Sequence, residues 1–448
     1  MAENGKYYMT CSSFKYFPGL SLYESSDLKC WKKLKNLVSG GVKDIWSPEL
    51  CKIGERYFVY FSADGENYAL FSDRMDGEWS AVRRIGAKGL IDPGYIREEE
   101  TGENWLFFSG GYAARLSDYG FSLKSAPEKI YPFFDIPQDW ECEGIYPESP
   151  KLFRRGEYYY LTIAQGGTAG PPTSHMSVMM RSKSLQSGWE LSPYNPILHT
   201  RSALEPWWSV GHATPFYCYD GKWRMILHGY RRSQREDGRM LLLCDASWDK
   251  ENWLFAEDTT LAPCPQVKRN FDFAKMSDHS VFEYFSYYGQ SIARRTECTG
   301  QGLSLHGCGE GLCDCMPLLY NDVGGDYEME VSLRTDSDDA FAGITFYYNE
   351  ACFVGIGVKR GCLCTFNRGE THDFGAISAN AITLKVRKKR GVVSYFYDDG
   401  KGFVKLPVSD DVSGFHHNVY GGFLSLRPGM FCAGKAIAIF SAFSIKEC

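Results

Sequence analysis

The sequence of 448 residues has no uninterrupted apolar run approaching the roughly 18 residues that a membrane-crossing helix needs. Its opening, Met1-Ala-Glu-Asn-Gly-Lys, lacks the basic stretch followed by an apolar one that marks an export signal. Neither membrane insertion nor export is therefore expected, and the chain reads as cytoplasmic. An excess of positive charge is missing too: 49 Lys and Arg stand against 55 Asp and Glu, a net charge of -6. Without a basic footprint, nucleic acid and anionic membranes are poor partners, and a neutral polar substrate fits better. Cysteine is plentiful, at 16, but lacks order. The densest group, Cys308, Cys313 and Cys315, has no matching second pair and no His at zinc-finger spacing, so reduced thiols are expected rather than a disulfide framework or structural zinc.

Aromatic residues make up 15% of the chain and are accompanied by 46 glycines, a composition that favours many short strands joined by tight turns. With 44% hydrophobic residues over this length, two cores and hence two domains are expected. The first part of the chain repeats itself at intervals of about 45–65 residues. Each copy has an aromatic strand with period-2 alternation: Gly5-Lys-Tyr-Tyr-Met-Thr, Glu55-Arg-Tyr-Phe-Val-Tyr-Phe-Ser, Glu103-Asn-Trp-Leu-Phe-Phe-Ser, Gly156-Glu-Tyr-Tyr-Tyr-Leu-Thr and Gly221-Lys-Trp-Arg-Met-Ile-Leu. Five such copies predict a five-bladed β-propeller, each blade burying its faces against its neighbours. In four copies a further strand comes first: Ser47-Pro-Glu-Leu-Cys, Ile91-Asp-Pro-Gly-Tyr-Ile, Glu148-Ser-Pro-Lys-Leu-Phe and His212-Ala-Thr-Pro-Phe-Tyr. These innermost strands should line the central channel. The first copy is expected to lack one, because the sequence opens inside its aromatic strand.

Cleaving a glycoside takes a proton donor for the leaving oxygen and a carboxylate that activates water or attacks the sugar. Asp92 and Glu148 stand at the starts of two channel strands, where equivalent blade positions would aim both inward. Taken alone, Asp-Pro and Glu-Ser-Pro are equally turn and cap sequences. The wider series decides between the readings. Phe14-Lys-Tyr-Phe-Pro-Gly-Leu, Ser25-Ser-Asp-Leu-Lys-Cys-Trp, Ile45-Trp-Ser-Pro, Ile91-Asp-Pro, Pro147-Glu-Ser-Pro, Gly166-Gly-Thr, Arg181-Ser-Lys-Ser-Leu and Asn195-Pro-Ile-Leu occur in the order found in glycoside hydrolase family 43. The chain resembles most the branch of β-xylosidases and α-L-arabinofuranosidases with an attached lectin-like sandwich.

That resemblance implies an all-β protein: a propeller over residues 1–265, its first blade lacking the innermost strand, and a concanavalin-like β-sandwich over residues 272–448. After Pro263-Cys-Pro-Gln, alternating segments such as Asp326-Tyr-Glu-Met-Glu-Val-Ser-Leu and Ala342-Gly-Ile-Thr-Phe-Tyr-Tyr fit the sandwich. The resemblance also implies an inverting exo-glycosidase that removes terminal β-D-xylosyl or α-L-arabinofuranosyl residues from hemicellulose oligosaccharides. Glu148 matches the general acid and Asp92 the carboxylate that tunes and orients it; Glu143 competes for the acid role but lacks the following Pro. The family's base lies in an Asp-Pro segment just upstream of the stretch matched by Lys6-Tyr-Tyr-Met-Thr, where this sequence has five residues and no Asp. A natural start further upstream is the expected explanation, with Asp44 as a substitute candidate.

By the same resemblance, Phe17 and Trp46 match the aromatic platform for the sugar ring, Arg239 an arginine that reaches the sugar, and His212 a histidine near the channel centre. No cofactor is required, and a structural calcium beside His212 is the one metal the resemblance allows. The partner expected is a xylo- or arabino-oligosaccharide, with a homo-oligomer left open. Two alternatives remain: a catalytically silent sugar-binding propeller, and another furanosidase or galactosidase on the same scaffold.

Overall fold

The aromatic strands of the repeat become the second strands of five antiparallel sheets, each running through four strands in chain order. The computed structural model describes residues 1–257, 262–263, 269–289, 295–322, 324–337, 339–377 and 381–448. These second strands are Lys6–Thr10, Arg56–Ala63, Asn104–Phe108, Tyr158–Gln165 and Trp223–Arg231. In the second, third and fourth sheets their period-2 alternation does not separate core from solvent, because both faces are buried. It distributes side chains between two neighbouring blades. Trp105 and Phe107 pack with Tyr159, Leu161 and Ile163 of the next sheet, whereas Leu106 and Phe108 pack with Phe58 and Tyr60 of the preceding one. Tyr160 in turn joins Met225, Leu227 and Leu242 of the fifth sheet.

The ring closes where Tyr7 and Leu28 of the first sheet meet Phe216, Cys218 and Leu243 of the fifth, and the Tyr219 N–H donates to the Tyr7 hydroxyl at 3.0 Å. Each aromatic ring so buried contributes about 1.5–3 kcal/mol, so the seams supply the stability that no single four-stranded sheet could. The fold is a five-bladed propeller.

The innermost strands are Trp46–Ile53, Gly94–Arg97, Glu148–Arg155 and Trp207–Tyr217 in sheets two to five. In the first sheet that place is held by two residues only, Ala2–Glu3, paired with Lys6 and Tyr7. The inner strand of this sheet is thus two residues long where the other four have four to eleven. Glu3, its one carboxylate, is paired with Lys52 at 2.8 Å.

The second unit is an antiparallel sandwich of two eight-stranded sheets. Phe271 and Phe443 from one sheet meet Phe285 and Tyr320 from the other, with ring centroids 5.1–6.1 Å apart. A short helix, Asp278–Tyr284, starts with a capping box between Ser277 and Ser280. Among the described residues no helix is long and apolar enough to cross a membrane.

The domain boundary differs from the expected one at two places. Lys15–Pro18 and Ser233–Arg239 belong to the second unit, although they fall within residues 1–265. Tyr16–Phe17 forms a strand on Phe285–Tyr288, with Phe17 opposite Tyr287. Glu236 and Asp237 flank the buried Lys388 ammonium at 3.1 and 2.5 Å. Strand pairing and a buried charge cluster thus assign these segments, and neither leaves a mark on the local repeat. Residues 264–268, where the propeller was expected to end, lie outside the described residues.

Candidate active site

Four blades of the propeller share a local distortion in, or just before, their inner strands. Ser47, Asp92, Ser149 and His212 have φ of 42°, 59°, 53° and 55°, in the left-handed region that residues with a Cβ seldom enter. Register shifts accompany it between Trp46 and Glu49, between Glu148 and Lys151, and on both sides of Gly211. Such bulges re-aim side chains at the end of a strand, and strain repeated at the same level in four blades is retained for what it positions.

Asp92 is 3% exposed and held by several donors. Its backbone N–H donates to Ser62 Oγ at 2.9 Å. Its Oδ2 accepts from the Ser109 hydroxyl at 2.9 Å and from the Ser149 N–H at 3.1 Å. Burial first, then the charge of Glu148, hold the Asp92 carboxyl above the ordinary carboxylate range, against the pull of His212 and the Ser47 and Ser109 hydroxyls. The bond to Ser149 also ties Asp92 to the residue after Glu148, so one carboxylate fixes the backbone that carries the other.

Glu148 is more open, with 28% of its side chain exposed, and its Oε1 lies 2.9 Å from His212 Nε2. The difference in exposure separates the roles. Asp92 has spent its oxygens on the protein, whereas Glu148 keeps an oxygen free of that hydrogen bond and reaches solvent. Of the two carboxyls, Glu148 is the one open to a substrate oxygen.

Glu143, the competitor for the acid role, is committed elsewhere. Its Oε2 accepts from the N–H groups of Ala169 and Gly170 at 2.7 and 3.1 Å, and a Cβ at Gly170 would lie 2.6 Å from that of Glu143. It clamps a loop. Asp44 is half-buried in the segment before Ile45, with a left-handed φ of 49°.

Trp46 is half-buried at the head of its inner strand, 6.4 Å from the ring of Phe14, and pairs across with Ser62, whose hydroxyl accepts from Asp92. Phe17 and Arg239, expected within the propeller over residues 1–265, belong to the second unit. Phe17 is a buried strand residue of the second unit. Arg239 lies over the Phe423 ring at 4.7 Å in that same unit, where Phe423 stacks on His417 at 3.8 Å. Burial, then the Arg239 charge, push the His417 imidazole down to about 4.

Sequence reasoning missed the serine shell of Asp92 and two further histidines. Ser47 and Ser149 stood in the quoted Ser-Pro pairs, a signal that was available. His175 and His228 had none: they join His212 from separate segments of the chain, with ring centroids 4.8–5.2 Å apart. This cluster bears on the calcium allowed beside His212. Calcium takes six to eight oxygen ligands, whereas the groups gathered here are three imidazoles, and the nearby Glu148 Oε1 is hydrogen-bonded to one of them. The donor set does not fit calcium.

The family model described as glycosyl hydrolases family 43 matches residues 1–254. A non-reducing end alpha-L-arabinofuranosidase from Bacteroides ovatus, BoGH43B, is 27% identical over 271 residues, covering 55% of this chain and 49% of that protein. A beta-xylosidase from Bacillus subtilis is 25% identical over 252 residues, covering 48% and 44%. The chain spans about half the length of these curated relatives. The crystal structure of the GH43 BlXynB protein from Bacillus licheniformis superposes with a TM-score of 0.88 at 20% identity, covering 100% of this chain and 96% of that one, a likeness of fold.

Proposed function

The chain belongs to glycosyl hydrolases family 43, and from that premise we propose that its propeller removes terminal β-D-xylosyl or α-L-arabinofuranosyl residues from hemicellulose oligosaccharides by a single inverting displacement. The observation that carries this reading is the Asp92–Glu148–His212 arrangement: an open carboxyl at the channel, hydrogen-bonded to an imidazole at 2.9 Å and fixed from behind by a buried carboxyl. In this reading Glu148 gives its proton to the glycosidic oxygen as the bond breaks, and Asp92 positions it. Trp46 offers its ring to the apolar face of the sugar. Relatives named for arabinofuranosidase and xylosidase activity support the substrate class. The described cysteines are all free, which supports a reducing, cytoplasmic setting.

Replacing Glu148 with Ala should lower release of 4-nitrophenol from the β-D-xyloside and the α-L-arabinofuranoside at least about 100-fold. Unchanged turnover would remove Glu148 from the mechanism.

A second reading is sugar binding without hydrolysis. It is favoured by Glu3, the carboxylate on the inner place of the first sheet, which is tied to Lys52 rather than open to substrate. Azide or formate separates the two. A small anion restores turnover only where acid and pocket are intact and the base alone is wanting; a binding protein gains nothing from it.

A further inference from the structure

We infer that His175, His212 and His228 form a binding site for one nitrogen-seeking divalent ion of the zinc, cobalt and nickel class. The nitrogens on offer all lie within 4.8 Å of one another, so some point lies within about 2.8 Å of all three. Zinc–imidazole bonds are about 2.0–2.1 Å long, and closing the site asks each ring to move by less than about 1 Å. Three imidazoles with an open fourth position suit a borderline ion, and affinity for such donors rises through the later first-row metals.

The surroundings are built to hold this arrangement. His175 is fully buried immediately before Met176–Ser182 of the fourth sheet. His212 stands on the inner strand of the fifth sheet and His228 on its second strand, opposite Gly211. A Cβ on Gly211 would lie 2.1 Å from Cδ2 of His175. The ring of His175 therefore enters the fifth sheet only because residue 211 has no side chain. The Glu148 carboxylate completes the picture. Its Oε1 lies 2.9 Å from Nε2 of His212, where an outer partner of a metal-bound imidazole ordinarily stands when the other ring nitrogen takes the ion.

The site does not rest on the hydrolase reading, and its test needs no turnover. The full chain, stripped with a chelator, is titrated calorimetrically with zinc and separately with calcium, and cobalt(II) is added to record its visible spectrum. The expected result is one zinc or cobalt per chain, cobalt bands characteristic of nitrogen ligation, and no calcium binding. His228→Gln should weaken zinc at least about 100-fold, the upper end of what losing even an outer partner costs, whereas the exposed His372→Gln should change nothing. If His228→Gln does not fold, X-ray absorption of the wild-type zinc complex counts the imidazoles directly, with three expected. No saturable zinc binding, binding indifferent to His228→Gln, fewer than three imidazoles on the ion, or calcium in place of zinc would overturn the site.

Discussion

Each of the two units buries a cluster of charged groups, and the clusters are resolved in opposite ways. In the sandwich, Lys388 is 1% exposed and lies between Glu236 and Asp237. Burial pulls its ammonium down, but the charges of Asp237 and Glu236 outweigh that and leave it above its ordinary value. In the propeller, Asp92 faces Glu148, and the helpers around it are serine hydroxyls, a backbone N–H and an imidazole rather than a fixed cation. The first cluster is built around a fixed cation and fastens Ser233–Arg239 to its unit. The second keeps two like charges in tension, which is the condition for a group that must hold and release protons. Compensation marks a structural charge cluster; tension marks a chemical one.

The comparison is most exposed to Lys388→Met. Leaving two carboxylates buried without their cation should cost about 3–5 kcal/mol, read as an earlier urea transition of the second unit, and the loss should shrink as acid neutralises the carboxylates. A loss that is the same at every pH would make the cluster a matter of packing.

The opposite sign is expected at Asp92. Because its folded-state pKa is raised, ionisation of Asp92 costs the fold, a cost absent below the ordinary carboxylate range and complete above the raised value. Asp92→Asn keeps an acceptor for Ser109 and Ser149 but cannot ionise. It should raise the melting temperature at pH 7 by about 2–4 °C, with the gain vanishing in acid, while glycoside turnover falls about 100-fold. A variant both less stable at neutral pH and inactive would show that Asp92 is held like Lys388, by compensation.

Smallest should be Ser109→Ala, which takes one hydroxyl from Asp92. A hydrogen bond to a charged group is worth about 1.5–3 kcal/mol, and part of that is recovered as the carboxyl holds its proton more tightly. Several-fold lower kcat/KM with little change in melting temperature is expected; an effect as large as that of Asp92→Asn would place Ser109 among the catalytic residues.

How far the sequence foretold all this depended on where the partners lie. The blades were legible because each repeats a local pattern, and the same holds for Asp92 and Glu148, which occupy equivalent places before Pro at the heads of inner strands. Phe17 and Arg239 sit inside the repeat by position, yet their unit is decided by Phe285–Tyr288 and by Lys388, far along the chain. His175, just before a strand of the fourth sheet, and His228, on the second strand of the fifth, lie far apart in the chain, so no spacing could have joined them to His212. Glu143 and Glu148 differ by five positions in sequence, and the two backbone N–H groups that engage Glu143 tell them apart.

The central claim is that Glu148 protonates the leaving oxygen, and it is tested most directly by varying the leaving group in Glu148→Ala. Acid assistance matters most when the departing oxygen is basic. The variant should lose at least about 1,000-fold in kcat/KM on an alkyl β-D-xyloside but no more than about 10-fold on the 2,4-dinitrophenyl β-D-xyloside. Equal losses on both substrates would contradict the assignment.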